Sequence, residues 1–204
     1  MAYFAVSIFL SAFLLFQIEP MVGRFILPWF GGTSAVWSTV LMFFQILLTG
    51  GYAYAYWLAG RGQNRKRVMI HVALLAVSLI AILIWGFIWK SPIIPDPNQQ
   101  SSSTTNPIWE ICKLLGISIG LPFFLLATNS TLMQTWCHRT CPHRTPYVLY
   151  ALSNAGSVLG LLSYLLIVEP ALTLHAQRIA WSVGYLLFAL LAGYGAIRSL
   201  QIKS

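Results

Sequence analysis

Four ionisable residues stand in this sequence where a lipid-facing stretch would exclude them. Glu19 and Arg24 occur in FQIEPMVGRF at 16–25, Glu169 in IVEP at 167–170, and Arg178 in LHAQRIAW, all within or beside long apolar runs. The chain has only four acidic residues, and two of them share an apolar-Glu-Pro context. Ionisable groups inside a membrane span face the bundle interior and pair with one another. A rise of about 1.5 Å per residue, counted from a crossing that begins near Phe4, puts Glu19 roughly 22 Å deep. The same count from Tyr147 puts Glu169 close to the outer boundary, so both carboxylates fall in the same half of the bilayer. Glu19, Arg24, Glu169 and Arg178 are therefore expected to form a charge cluster in the outer half of the bilayer. It would tie the first, fifth and sixth spans together as a structural lock, or serve a cation or proton path. Residues five apart on an ideal helix point about 140° apart, so Glu19 and Arg24 share a face only if Pro20 alters the helix locally.

A second polar group lies in ATNSTLMQTW at 127–136, which brings Thr128, Asn129, Ser130, Thr131 and Gln134 into a span or its inner edge. Such residues hydrogen-bond neighbouring helices, each contact contributing about 1 kcal/mol or less, or they line a polar cavity. Inside a span the Asn129-Ser130-Thr131 sequon has no bearing on glycosylation. In LYALSNAGSVLGLLSY, Gly156 and Gly160 are spaced as GxxxG with Ser153 and Ser157 beside them. Small residues at this spacing let two helices approach closely, because packing drives association in lipid.

Soft ligands concentrate in CHRTCPHRTP at 137–146. Cys137, His138, Cys141 and His143 fall within seven residues, a set suited to Zn²⁺ or Cu⁺. Structural zinc sites usually have two separated ligand pairs, and Pro142 restricts the turn, so a polar basic turn is the simpler interpretation. His71 and His175 lie near span ends on opposite sides, where a hydrated or hydrogen-bonded imidazole is expected before a haem or pigment ligand. No cofactor is expected; metal or pigment ligation would fall to these His and Cys residues.

The elements that position these residues follow from composition. Hydrophobic residues make up 58% of the 204-residue chain and charged residues 8%, against about a quarter charged in soluble domains; mean hydropathy is +0.75. Six stretches reach the roughly 20 residues a helix needs to cross the hydrocarbon core. They lie near 4–29, 35–58, 68–89, 108–136, 147–168 and 174–198. The expected fold is an all-α polytopic membrane bundle of six transmembrane helices, forming one domain over 1–204. The long first and fourth spans must tilt, kink or extend, at Pro20 and Pro122 for example.

The net charge of +8 is carried in short connections, where it sets orientation rather than recognising nucleic acid. Eight of the twelve Lys and Arg residues, namely Arg61, Arg65, Lys66, Arg67, Arg139, Arg144, Arg198 and Lys203, fall on one side. Both termini are thus expected in the cytoplasm. The first 20 residues lack a basic n-region and a small-residue cleavage site, so the first span is expected to be retained. Three cysteines, two of them beside basic residues, fit a reducing cytosolic face better than a disulfide framework. The Pro-, Ser-, Thr-rich stretch 90–107 should be an irregular outer-side loop, either a linker or a docking segment.

YWLAGRGQNRKRV at 56–68 resembles the cytoplasmic loop of the major facilitator superfamily, Gly-x-Leu-Ala-Asp-Arg-x-Gly-Arg-Arg, with Gly60 where that family has its Asp. More specifically, FLSAFLLFQIEPMVGRFILPWFGGTSAVW and HRTPYVLYALSNAGSVLGLLSYLLIVEPAL resemble the membrane domain of fused major-facilitator/spermidine-synthase-like bacterial proteins, over nearly the whole chain. The resemblance implies a fold like half of a major-facilitator transporter in a bacterial inner membrane. Relatives commonly continue into a soluble aminopropyltransferase-type domain. The sequence reaches Ser204 without the Gly-rich turn or acidic pair of such a domain, so no enzymatic activity is expected. The expected function is an accessory or scaffold subunit packed against other membrane proteins. The alternative is a half-size transporter moving a small cationic or zwitterionic solute, as a homodimer or with a partner half.

Overall fold

A computed structural model describes residues 2–60, 64–88, 93, 106–140 and 147–201, whose regular structure is entirely helical. Six helices are long and apolar enough to cross a membrane, and the protein is an all-α, multi-pass membrane bundle. Helix α1 is Ala2–Phe30, α2 Ser34–Ala59 and α3 Arg65–Ile88. Helix α4 runs from Pro107–Leu115 through a wider π segment, Gly116–Gly120, into Leu121–Thr140. Helix α5 comprises Tyr147–Ser163, a π segment Tyr164–Val168 and Glu169–Ala171, and α6 is Leu174–Gln201.

Local chemistry explains the ends. After α1 the chain reverses at Gly31, whose φ of 80° is a left-handed conformation that costs glycine nothing; its N–H donates to Leu27 O at 2.9 Å. Thr33 then caps α2, its Oγ1 accepting from Val36 N at 3.4 Å. Asn106 caps α4 by accepting from Ile108 N at 3.1 Å, and Pro107 occupies the first turn, where its missing N–H is harmless.

Both π segments end two residues before a proline. A proline ring clashes with the carbonyl four residues earlier and leaves it without a donor. For Pro122 and Pro170 those carbonyls belong to Ser118 and Leu166, inside the π segments, whose wider turn makes room for the ring. Pro20 and Pro28 lie within α1, which stays helical through both.

Helix α1 is the hub, packing against α4, α5 and α6. Its buried positions, including Phe4, Ser7, Ile8, Ser11, Leu14, Leu15, Ile18, Met21, Val22 and Phe25, recur every three to four residues and then spread around the helix, as a central position requires. Helix α2 packs on α4, and α3 on α6. Trp181 Nε1 donates to Leu14 O at 2.9 Å, and Ser78 shares a 2.7 Å hydrogen bond with Tyr185, linking α6 to α1 and α3 to α6. Helices α2 and α5 make no extended contact, and neither do α5 and α6.

Candidate functional site

At the end of the bundle that holds the α5–α6 turn, Arg24 of α1 meets α5. Its Nη1 lies 3.8 Å from Glu169 Oε1 and donates to Glu169 O at 3.2 Å. The arginine that follows the first apolar-Glu-Pro motif and the glutamate of the second thus tie the first span to the fifth. Arg178 reaches across from α6, its guanidinium 5.9 Å from the Phe25 ring of α1 and its Nε donating to Leu174 O at 3.1 Å. Glu19 stands apart, with no hydrogen bond or ion pair among the described residues. Pro20 does not bring it round: α1 keeps its helical geometry, so Glu19 and Arg24 stay on different faces. Glu19 is half-buried, one turn from Gly23, where α2 presses the Trp37 ring against α1.

The polar residues of α4 divide into two sets. Asn129 is fully buried; its Nδ2 donates to Ser7 O at 3.0 Å, Ser7 Oγ at 3.1 Å and Ser11 Oγ at 2.9 Å, and its Oδ1 accepts from Ser7 Oγ at 3.3 Å. Thr128, also buried, donates to Leu125 O at 2.7 Å. Asn129 thus joins α4 to α1, while Thr128 bonds within α4. Ser130, Thr131 and Gln134 form the second, half-exposed set. Gln134 Nε2 donates to Ser130 Oγ at 3.1 Å, and Ser130 donates to Ser153 Oγ of α5 at 3.1 Å.

Small residues set the distances between these helices. A methyl group added at Gly156 would lie 2.6 Å from Phe9 O, and one at Gly160 2.5 Å from Phe13 O, so the GxxxG edge of α5 presses on the backbone of α1. Gly51 does the same for α2 against Ala127 of α4, at 2.9 Å. Ser157 turns its hydroxyl onto Ser153 O at 3.0 Å. Helices α2 and α5 are therefore pinned to α4 and α1 while standing apart from each other. Half-exposed Ser130, Thr131 and Gln134 follow Ala127 along α4, where Ser130 meets Ser153 of α5.

One surface feature was not singled out from the sequence. Ser38, Met42, Gln45, Thr49, Tyr52 and Tyr56 are all exposed on α2, at alternating spacings of four and three residues that place them along one side of the helix. Gln45 and Thr49 lie near the middle of the span. On α5, exposed Tyr147, Tyr150 and Asn154 form a shorter row next to Ser153. The three-to-four spacing was the signal in the sequence, hidden because the polar members are uncharged.

His71 departs from expectation. Instead of a hydrated interfacial imidazole, it is a fully buried side chain on α3, 5.9 Å from the Tyr54 ring and 6.1 Å from that of Trp136. Neither ring nitrogen, nor the Tyr54 hydroxyl, has a hydrogen-bond partner among the described residues. His175 is exposed. Of the four possible metal ligands at the α4–α5 connection, Cys137 is buried and His138 exposed, which turns them apart; Cys141 and His143 lie outside the described residues. Among the described residues, no three His, Cys, Asp or Glu side chains gather as a metal site would need.

The other end of the bundle is organised by arginine. Arg67 Nη1 donates to Trp57 O at 2.8 Å with its guanidinium 4.8 Å over the Trp57 ring, and Arg139 donates to Ala59 O and Gly60 O. Trp57 O also accepts from Gly60 N at 3.4 Å, whereas Ala59 O and Gly60 O lie past the last intrahelical bond, where a helix end leaves carbonyls without donors; cations there also suit the helix dipole.

Comparisons with protein-family models, curated proteins and solved structures found no match to this chain.

Proposed function

We propose that this protein is a non-catalytic integral membrane subunit whose α2 face is covered by the helices of another membrane protein. The observation that carries the proposal is the exposure of Gln45 and Thr49 at mid-span. Hydrocarbon offers no hydrogen-bond partner, so an amide facing lipid costs several kcal/mol, roughly. A neighbouring helix with polar and small side chains removes that cost, and the alternating spacing of Ser38 to Tyr56 matches the seam of a left-handed helix pair. The row on α5 extends the same kind of surface.

The chain's ordered Glu-Pro, Trp-Phe-Gly-Gly and Pro-Tyr-x-Leu-Tyr-Ala-Leu-Ser-Asn elements support kinship with the membrane domains of the fused major-facilitator/spermidine-synthase-like proteins, and with it a bacterial inner-membrane location. Arg65, Lys66, Arg67 and Arg139 gather at the end of the bundle holding the N-terminus, which supports cytoplasmic termini.

A photo-crosslinking residue at position 45, compared with one at exposed Leu83 on α3, tests the proposal. Position 45 should give a discrete protein adduct in membranes and position 83 lipid adducts only. Lipid adducts at both positions, with purification of a lone monomer in mild detergent, would reject it. A second reading rests on Glu19, whose unpaired, half-buried carboxylate suits a small cationic solute in a half-size transporter. Glu19→Gln should then abolish uptake while leaving complex assembly intact; unchanged uptake rejects that role.

A further inference from the structure

On the other side of α5, the protein contains an open cleft of about 240 Å³ between α1, α5 and α6. It exists because α5 and α6 both lean on α1 without packing along each other. Leu10, Leu14 and Met21 form its floor on α1, Tyr164 and Val168 its α5 wall, and Trp181 its α6 wall. From Leu10 to Met21 it runs roughly 16 Å along α1 at about 1.5 Å per residue. It reaches the surface at Leu172 and Ala180, which line it and are exposed.

The polar atoms around it are already engaged. Tyr164 donates to Gln177 Oε1 at 3.2 Å, while Gln177 Nε2 donates to Val168 O at 3.3 Å and Leu172 O at 2.9 Å. Gln17 Nε2 donates to Ser163 Oγ at 3.2 Å, and the Trp181 indole N–H to Leu14 O. A polar solute would find few free groups, whereas an apolar cleft open to the surrounding hydrocarbon suits an acyl chain. Its position within the spans puts it beside acyl chains. The π segment of α5 lies along the cleft, with Tyr164 and Val168 at its two ends, so the same widened turn that accommodates Pro170 shapes the wall. Arg24, in contact with Glu169 and 43% exposed, stands one turn above the lining residue Met21. Its guanidinium has five donors, more than the Glu169 contacts use, and a phosphate is a matching acceptor.

We propose that this cleft is a phospholipid site: one acyl chain enters between Leu172 and Ala180 and lies along α1, and the lipid phosphate is held by Arg24. The proposal concerns a different face from the α2 surface and does not depend on the chain being a subunit.

The test uses the full chain extracted in mild detergent and exchanged through several column volumes of lipid-free buffer, followed by native mass spectrometry and lipid extraction. The wild-type protein should retain about one phospholipid per chain. Ala180→Phe and, separately, Leu172→Trp place bulk at the exposed mouth and should each lower occupancy at least fivefold; Arg24→Gln should lower it less and weaken the preference for anionic over zwitterionic headgroups. Circular dichroism and size-exclusion profiles establish that each variant is folded. Wild-type protein that retains detergent but no lipid, or folded mouth variants that both retain lipid at the wild-type level, would overturn the proposal. Should Ala180→Phe fail to fold, Leu172→Trp, outside the regular helices, decides the matter alone.

Discussion

Asn129 and His71 are both fully buried polar side chains, yet they carry opposite expectations. Asn129 exchanges hydrogen bonds with Ser7 and Ser11, so Asn129→Leu removes those partners and leaves the Ser7 hydroxyl stranded. We expect a loss of about 1–2 kcal/mol, between the modest average for interhelical contacts in membranes and the penalty for stranded groups in an apolar interior. His71 has no hydrogen-bond partner to lose among the described residues, and an unsatisfied buried group costs about 1–3 kcal/mol. His71→Leu should therefore leave the fold unchanged and raise the midpoint of thermal unfolding by a few degrees, at roughly 2–4 °C per kcal/mol for a chain of this size. Thermal melts of the three proteins in one detergent check both expectations, and a destabilised His71→Leu protein would mean that the imidazole has a stabilising role.

Among the helices, the contact between α5 and α1 is the most sensitive. Gly160 faces Phe13 O so closely that even a methyl group would stand 2.5 Å from it, and backbone cannot give way as a side chain can. Gly160→Leu should push α5 off α1, cost about 3 kcal/mol as overpacking does, and break the Arg24–Glu169 pairing further along the same interface. Val158→Leu, on the exposed side of α5, is the control and should be neutral. Protease resistance and melting temperature in detergent distinguish the two; equal stability would show that the helices do not pack through this edge. The GxxxG spacing was legible in the sequence because small residues in lipid have few other uses. Its counterpart was not, because Phe9 and Phe13 contribute backbone rather than side-chain chemistry.

For the molecule as a whole, orientation is the property most open to a direct check. With Arg65, Lys66, Arg67 and Arg139 at one end of the bundle, a fluorescent protein fused after Ser204 should fold in the cytoplasm, and a periplasm-activated phosphatase at the same position should stay inactive. The opposite pattern would reverse the topology. Six spans, their approximate limits and the helical class were readable from the sequence, since hydrocarbon permits few ways to satisfy a backbone and demands a run of about 20 apolar residues. The polar residues that matter were readable as types for the same reason. Their partners were not. Arg24 meets Glu169, Glu19 remains alone, His71 is buried and Gln45 exposed because helix rotation and crossing decide which side chains meet. Those depend on close approaches at Gly51, Gly156 and Gly160, between residues dozens to more than a hundred positions apart. The cleft beside α1 is likewise a tertiary outcome: it arises where two helices lean on a third without packing on each other, which no single stretch of sequence encodes.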